Sequence, residues 1–177
     1  MNLHDELLVT ARRLATAPPT DADARRAVST AYYALFHRLI DAAVMHLLAA
    51  HSADQRSVLA RAFEHRTVKS VCSRVVDAAR RPGTVALLER ALGVTIPTAP
   101  VPPELVRVAE AFTALQQQRQ DADYDRNPAN PFTLASAQDA ITQVTSAFTD
   151  WSQLEAANPS IAQAFLVLLL TGEPKSR

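Results

Sequence analysis

Arg119, Asp123 and Tyr124 stand close together in the stretch PPELVRVAEAFTALQQQRQDADYD, residues 102–125, and they carry the most distinctive chemistry in this chain. Leu105, Val108, Phe112 and Leu115 recur there at the period of one helix face. Four residues on, the same stripe lands on Arg119. A guanidinium keeps its proton at any ordinary pH, so an arginine on the inward face of a helix must find an anion. Asp123 lies one turn further and Tyr124 follows it. Together they would make an anion-binding end to a buried stripe. The plainer reading is a surface Arg119/Asp123 pair at i and i+4, worth about 0.2–0.5 kcal/mol, with Tyr124 packed beside it.

The elements that must position these groups are all helical in pattern. Leu3, Leu7, Leu8, Ala11 and Leu14 predict a first amphipathic helix over Asn2–Ala15. Thr20 to Asp23 offers caps and first-turn acids for a long second helix striped by Val28, Tyr32, Leu35, Leu39, Ala42 and Ala43, with an end that could lie past Leu48. Tyr33 and His37 sit on a neighbouring face, where they would hydrogen-bond a facing helix or take part in a site. Ser52-Ala53-Asp54 or Gln55 marks a break and a new cap, followed by a helix over Arg56–Phe63. The segment Glu64–Arg81 carries Val68, Val71, Cys72, Val75 and Val76 up to Pro82-Gly83. His65 opens that helix; its imidazole suits acid–base chemistry if it faces Arg119, and simple exposure is the alternative.

A short helix is expected over Thr84–Leu92, then a proline-rich connector over Val94–Pro103 that fixes where the Arg119 helix begins. Asn127 to Pro131 stops that helix. Phe132–Ala157 predicts another long helix, striped by Ala137, Ile141, Val144, Phe148, Trp151 and Leu154. Asn158-Pro159-Ser160 breaks it, and Ile161–Thr171 is a short additional C-terminal helix containing FLVLLL. Such a sequence must be buried in the core or covered by another chain, which suggests a dimer. Residues 1–171 read as a single helical domain and residues 172–177 as a disordered tail.

The totals agree with an all-α fold: three glycines, about half the residues apolar, and few β-branched runs. The net charge is zero, but residues 1–90 hold 13 Lys/Arg against 9 Asp/Glu, net +4, and residues 91–177 hold 5 against 9, net −4. Two such halves could simply attract each other. Arg56, Arg61, Arg66, Lys69, Arg74, Arg80 and Arg81 are candidates for a basic RNA-facing surface, or for ordinary solvated helix positions. One cysteine, Cys72, excludes an internal disulfide. The five histidines have no metal spacing, and no phosphate loop, dinucleotide fingerprint or nucleophile elbow is present, so no metal or cofactor is expected. MNLHDELLVTARR is not a signal peptide, and the apolar run Ala164–Leu170 is far short of the about 20 residues a membrane span needs. A cytoplasmic protein with no membrane contact is expected.

ADARRAVSTAYYALFHRLIDAA and LQQQRQDADYD together resemble the HEPN superfamily (higher eukaryotes and prokaryotes nucleotide-binding), in the branch with an Arg-x-x-Ala-Asp-Tyr sequence. EHRTVKSVCSRVV, residues 64–76, also fits that branch, and the resemblance spans about residues 3–155. It implies an antiparallel helical bundle that pairs as a homodimer, with the Arg119 helices meeting across the interface and binding RNA or a nucleotide. Many members are metal-independent ribonucleases, often toxins of toxin–antitoxin or defence systems, in which arginine holds the scissile phosphate and a histidine moves the proton. Here Tyr124 stands where that histidine belongs, and tyrosine is a poor base at neutral pH. Asp123, His65 or His37 would have to serve instead. The resemblance also makes Tyr124 a candidate for modification by a nucleotidyltransferase antitoxin. The competing reading, of a different class, is a non-catalytic helical protein-interaction module.

Overall fold

The computed structural model describes residues 2–16, 18–81, 89–90, 101–125 and 131–172. Among the described residues there are seven helices and no strand: α1 Leu3–Leu14, α2 Asp21–Leu48, α3 Ala53–Ala60, α4 His65–Arg80, α5 Pro103–Tyr124, α6 Leu134–Ala157 and α7 Pro159–Thr171. The chain is all-α, as its composition predicts. Most of the helix expected over Thr84–Leu92, most of the Val94–Pro103 connector, nearly all of the Asn127–Pro131 stop and the tail beyond Gly172 lie outside the described residues.

Helix ends follow local chemistry closely. Thr20 and Asp23 cap α2 reciprocally, since the Thr20 N–H and hydroxyl both donate to Asp23 Oδ2 (3.0 and 2.7 Å) while the Asp23 N–H donates to Thr20 Oγ (3.1 Å). Ser52 and Gln55 do the same for α3, which therefore starts at Ala53 and not at Arg56. α6 begins at Leu134 and not at Phe132 because Thr133 caps it, its Oγ1 accepting from the Ser136 N–H at 3.3 Å, while the Phe132 N–H just outside donates to Asp21 Oδ1 at 2.7 Å. Pro159 occupies the first turn of α7, where its missing N–H costs nothing. Gly172 ends that helix at φ +66°, a left-handed conformation that glycine adopts without strain, and its N–H donates to the Leu168 carbonyl at 2.9 Å.

By their contacts the helices gather into two compact units, Met1–Arg38 with Ala111–Thr149, and Leu39–Glu110 with Asp150–Arg177. In the first, α2 and α5 run antiparallel: Arg25 meets Ala122, Ser29 meets Asp123, Tyr33 meets Arg119, and Tyr32 and Phe36 meet Phe112 at ring distances of 5.4 and 6.4 Å. Four small residues, Ala15, Ala24, Ala27 and Ala137, let α1, α2 and α6 approach closely at one end, with Leu14, Phe132, Leu134 and Ile141 packed around them. His4, not Leu3, supplies the first inward side chain of α1: it is buried edge-on against Phe148, while Leu3 is half exposed.

In the second unit α4 packs against α7. Val68, Val71, Cys72, Val75 and Val76 form the buried face of α4, and Phe165, Leu166, Leu168 and Leu169 that of α7. Trp151 stacks obliquely on Phe165, with 6.0 Å between ring centres. The apolar α7 is thus covered by its own chain, with only Val167 among its large residues exposed. Its sequence needs no second copy to shield it.

Burial pushes the Cys72 thiol above its ordinary range, and only the thiolate reacts readily. Native protein at mildly alkaline pH is therefore expected to give no thiol in a dithionitrobenzoate assay until denaturant is added, when one thiol per chain should react at once. Rapid labelling of the native protein would show that α4 does not pack as described.

Candidate functional site

The stripe of α5 stays fully buried through Leu105, Val108, Phe112 and Leu115, and then turns polar at Gln116, Arg119 and Asp123. Facing it, α2 carries a polar line at a spacing of four, Arg25, Ser29, Tyr33 and His37, beside its own apolar stripe. Where the two polar lines meet, three of the four groups singled out in the sequence come together.

Arg119 is held at two points. Its Nη2 donates to the Tyr33 hydroxyl at 3.1 Å, and its Nε lies 2.8 Å from Asp123 Oδ2. The Nε–H does not point along that second line, so the contact is an ion pair and not a well-directed hydrogen bond. Asp123 is itself oriented by the buried Ser29, whose hydroxyl donates to Oδ1 at 2.7 Å. Both carboxylate oxygens are thereby engaged. The Arg119 carbon Cζ stands 5.7 Å from the Tyr33 ring centre and 5.9 Å from that of Tyr124. With the Tyr33 hydroxyl already accepting a bond, that first contact is a hydrogen bond at the ring edge. The Tyr124 contact is at the outer reach of a cation–π interaction.

Partial burial works against the Arg119 charge, but Tyr33 and Asp123 outweigh it, and the pKa of the guanidinium is raised above its usual value. Its side chain keeps 25 % of its exposure and that of Asp123 23 %, whereas Tyr124 is 73 % exposed. Among the described residues, Nη1 of Arg119 makes no hydrogen bond. A ligand oxygen could take it. Gln116, one turn earlier and buried, has an Oε1 with no donor among the described residues.

Arg25 is the functional neighbour that sequence spacing did not single out. Its Nη1 donates to the carbonyls of Ala122 at 3.1 Å and Asp125 at 2.7 Å, closing the C-terminal end of α5 where helix carbonyls lack partners. Its Nε donates to Asp21 at 2.6 Å, and its guanidinium lies over the Phe132 ring at 4.8 Å. Asp21 in turn accepts from the Phe132 N–H. Arg25 and Asp21 therefore hold the chain at Asp125 and at Phe132. The signal was present in the four-residue spacing of Asp21, Arg25, Ser29 and Tyr33, but it reads equally as a solvated helix edge.

No family model, curated protein or solved structure matches the chain. His65 opens α4, as its sequence position predicts, and belongs to the second unit while Arg119, Asp123 and Tyr124 belong to the first. His37 lies one turn from Tyr33 on α2 and rests edge-on against Phe36, with ring centres 5.7 Å apart.

Arg25→Met should cost about 1–3 kcal/mol in urea unfolding, the range for losing hydrogen bonds made by a charged group. Asp21 yields a pH dependence. Its bonds to Arg25 and to the Phe132 N–H hold its carboxyl below the ordinary value, so its contribution is present above the unfolded pKa and lost as the pH falls through the folded one. The stability gap between wild type and Asp21→Asn should be constant from about pH 7 to about pH 5 and should shrink below about pH 4. A gap that does not change with pH would mean that these two bonds do not favour the charged carboxylate.

Proposed function

We propose that the Arg119 cluster binds a phosphate group of RNA or of a nucleotide. The observation that supports this is a guanidinium fixed by Tyr33 and Asp123 beside an exposed aromatic ring, Tyr124. Arg119 offers a phosphate oxygen its remaining N–H groups, since a planar fork can serve a carboxylate on one edge and a phosphate on another. Asp123 keeps the fork oriented. Tyr124, exposed beside it, would contact ribose or phosphate.

The resemblance to HEPN proteins extends this reading to a homodimeric ribonuclease toxin with a nucleotidyltransferase antitoxin as partner. In such an enzyme Asp123, His65 or His37 would have to take the proton that the missing motif histidine would take. Asp123 has both oxygens occupied, a geometry suited to orienting Arg119. The second reading, a protein-interaction module, is favoured by the same ion pair: Asp123 already meets the Arg119 charge, which is what a purely structural brace requires.

The test is incubation of wild type and Arg119→Ala with total RNA and tRNA in EDTA, analysing product ends and nucleotide retention. Cleavage leaving 2′,3′-cyclic phosphate, lost in the variant, is the outcome for a metal-independent ribonuclease. Retention of RNA or nucleotide that falls at least tenfold in the variant is the outcome for a binding site. A folded variant that retains and cleaves like wild type, or a wild type that does neither, would give the cluster a structural role and favour the interaction module.

A further inference from the structure

α4 has two faces of different chemistry. Its apolar face is consumed by the core of its own unit. On the opposite side Arg66, Lys69, Arg74 and Arg80 fall within an arc of roughly 140°, taking about 100° per residue, and Arg81 follows as the C-cap in extended backbone; Arg66, Arg80 and Arg81 are exposed while Lys69 and Arg74 are half-buried. Asp77 is the acid of that arc, and Glu110 reaches in from α5 to Arg80 at 3.3 Å, an exposed pair that water screens. The excess of positive charge runs the length of the 16-residue helix.

We infer that this face of α4 is a docking surface for the phosphate backbone of a nucleic acid. Four of its five cations are arginines, whose forks match phosphate oxygens, and its remaining side chains include Ser70 and Ser73, which can donate to them. A protein partner would want an apolar or aromatic anchor at the centre, and this arc holds none. A bilayer would want an apolar face to insert, and that of α4 is already buried. The inference stands apart from the Arg119 reading, because these residues belong to the other unit.

The experiment is fluorescence anisotropy of a labelled single-stranded RNA in EDTA over a salt series. It compares wild type, Arg119→Ala, a face variant with Arg66→Gln, Lys69→Gln and Arg81→Gln, and a control of equal charge change with Arg12→Gln, Arg13→Gln and Arg26→Gln. With about 0.7 of slope per phosphate contact, the face variant should flatten the plot of log K against log salt by about 2 and weaken binding about a hundredfold near 0.1 M salt. The control should keep the slope. Circular dichroism and melting check that each variant is folded. No binding by wild type at low salt, an unchanged slope in the face variant, or an equal loss in the control would each overturn the inference. So would equal competition by polyglutamate, which would make the face a site for acidic peptides. Loss confined to Arg119→Ala would leave the Arg119 reading standing without this one.

Discussion

An arginine at the end of a buried stripe has to be met by an anion, and the way Arg119 is met organises the first unit. Below it, Phe112 packs between Tyr32 and Phe36, so that α2 and α5 close as an apolar seam. Above it the seam continues in polar form through Tyr33, Asp123 and Ser29, and finally through Arg25 on the carbonyls of Ala122 and Asp125. With about a quarter of each side chain still exposed, the ion pair belongs to the class that contributes little net stability. What it supplies is position. A guanidinium tied at Nε and Nη2 has lost most of its rotational freedom, so a phosphate arriving at its open edge would not have to order it.

The second unit solves a different problem. α4 is rich in valine, and β-branched residues lose rotamer freedom in a helix, so this helix depends on tertiary burial more than on its own propensity. Val68, Val71, Val75 and Val76 provide that burial together with α7, and Cys72 fills the same face. The apolar half of α4 is used in the core, and its cationic side chains lie on the opposite side. Strong amphipathicity here is the consequence of having one face to bury.

Much of the fold was legible in the sequence, and the misses have physical reasons. Leu105, Val108, Phe112 and Leu115 are all buried as their spacing demands, and of the cap positions left open between Ser52 and Gln55 the helix takes the first. The start of α6 was locally legible in Thr133 and Ser136, which cap it, but an apolar stripe beginning at Phe132 hid that signal. His4 replaces Leu3 in the interior because an aromatic ring, Phe148, is there to receive an imidazole edge, and periodicity counts only apolar letters. At the candidate site the Arg119/Asp123 pair and the pairing of Tyr33 with a facing helix followed from spacing. Ser29 and Arg25 did not, since a serine and an arginine on a helix edge are usually solvated. The FLVLLL helix left two readings open, its own core or a second chain, and its own chain covers it.

Tyr124 sets the limit on what chemistry the cluster can perform. A phenol can donate a hydrogen bond to a phosphate and present a face to a base, but it is not suited to take a proton from an attacking hydroxyl. Asp123 could take one only by giving up Arg119 or Ser29, and either change would loosen the Arg119 guanidinium. Holding and proton transfer therefore compete for one carboxylate within this cluster. On the proposed reading, an arrangement that keeps Arg119 fixed would favour retention of a phosphate-bearing ligand over its turnover, unless a histidine from elsewhere supplied the base. In a binding site that competition would cost nothing, because Asp123 would only ever need to hold the arginine in place.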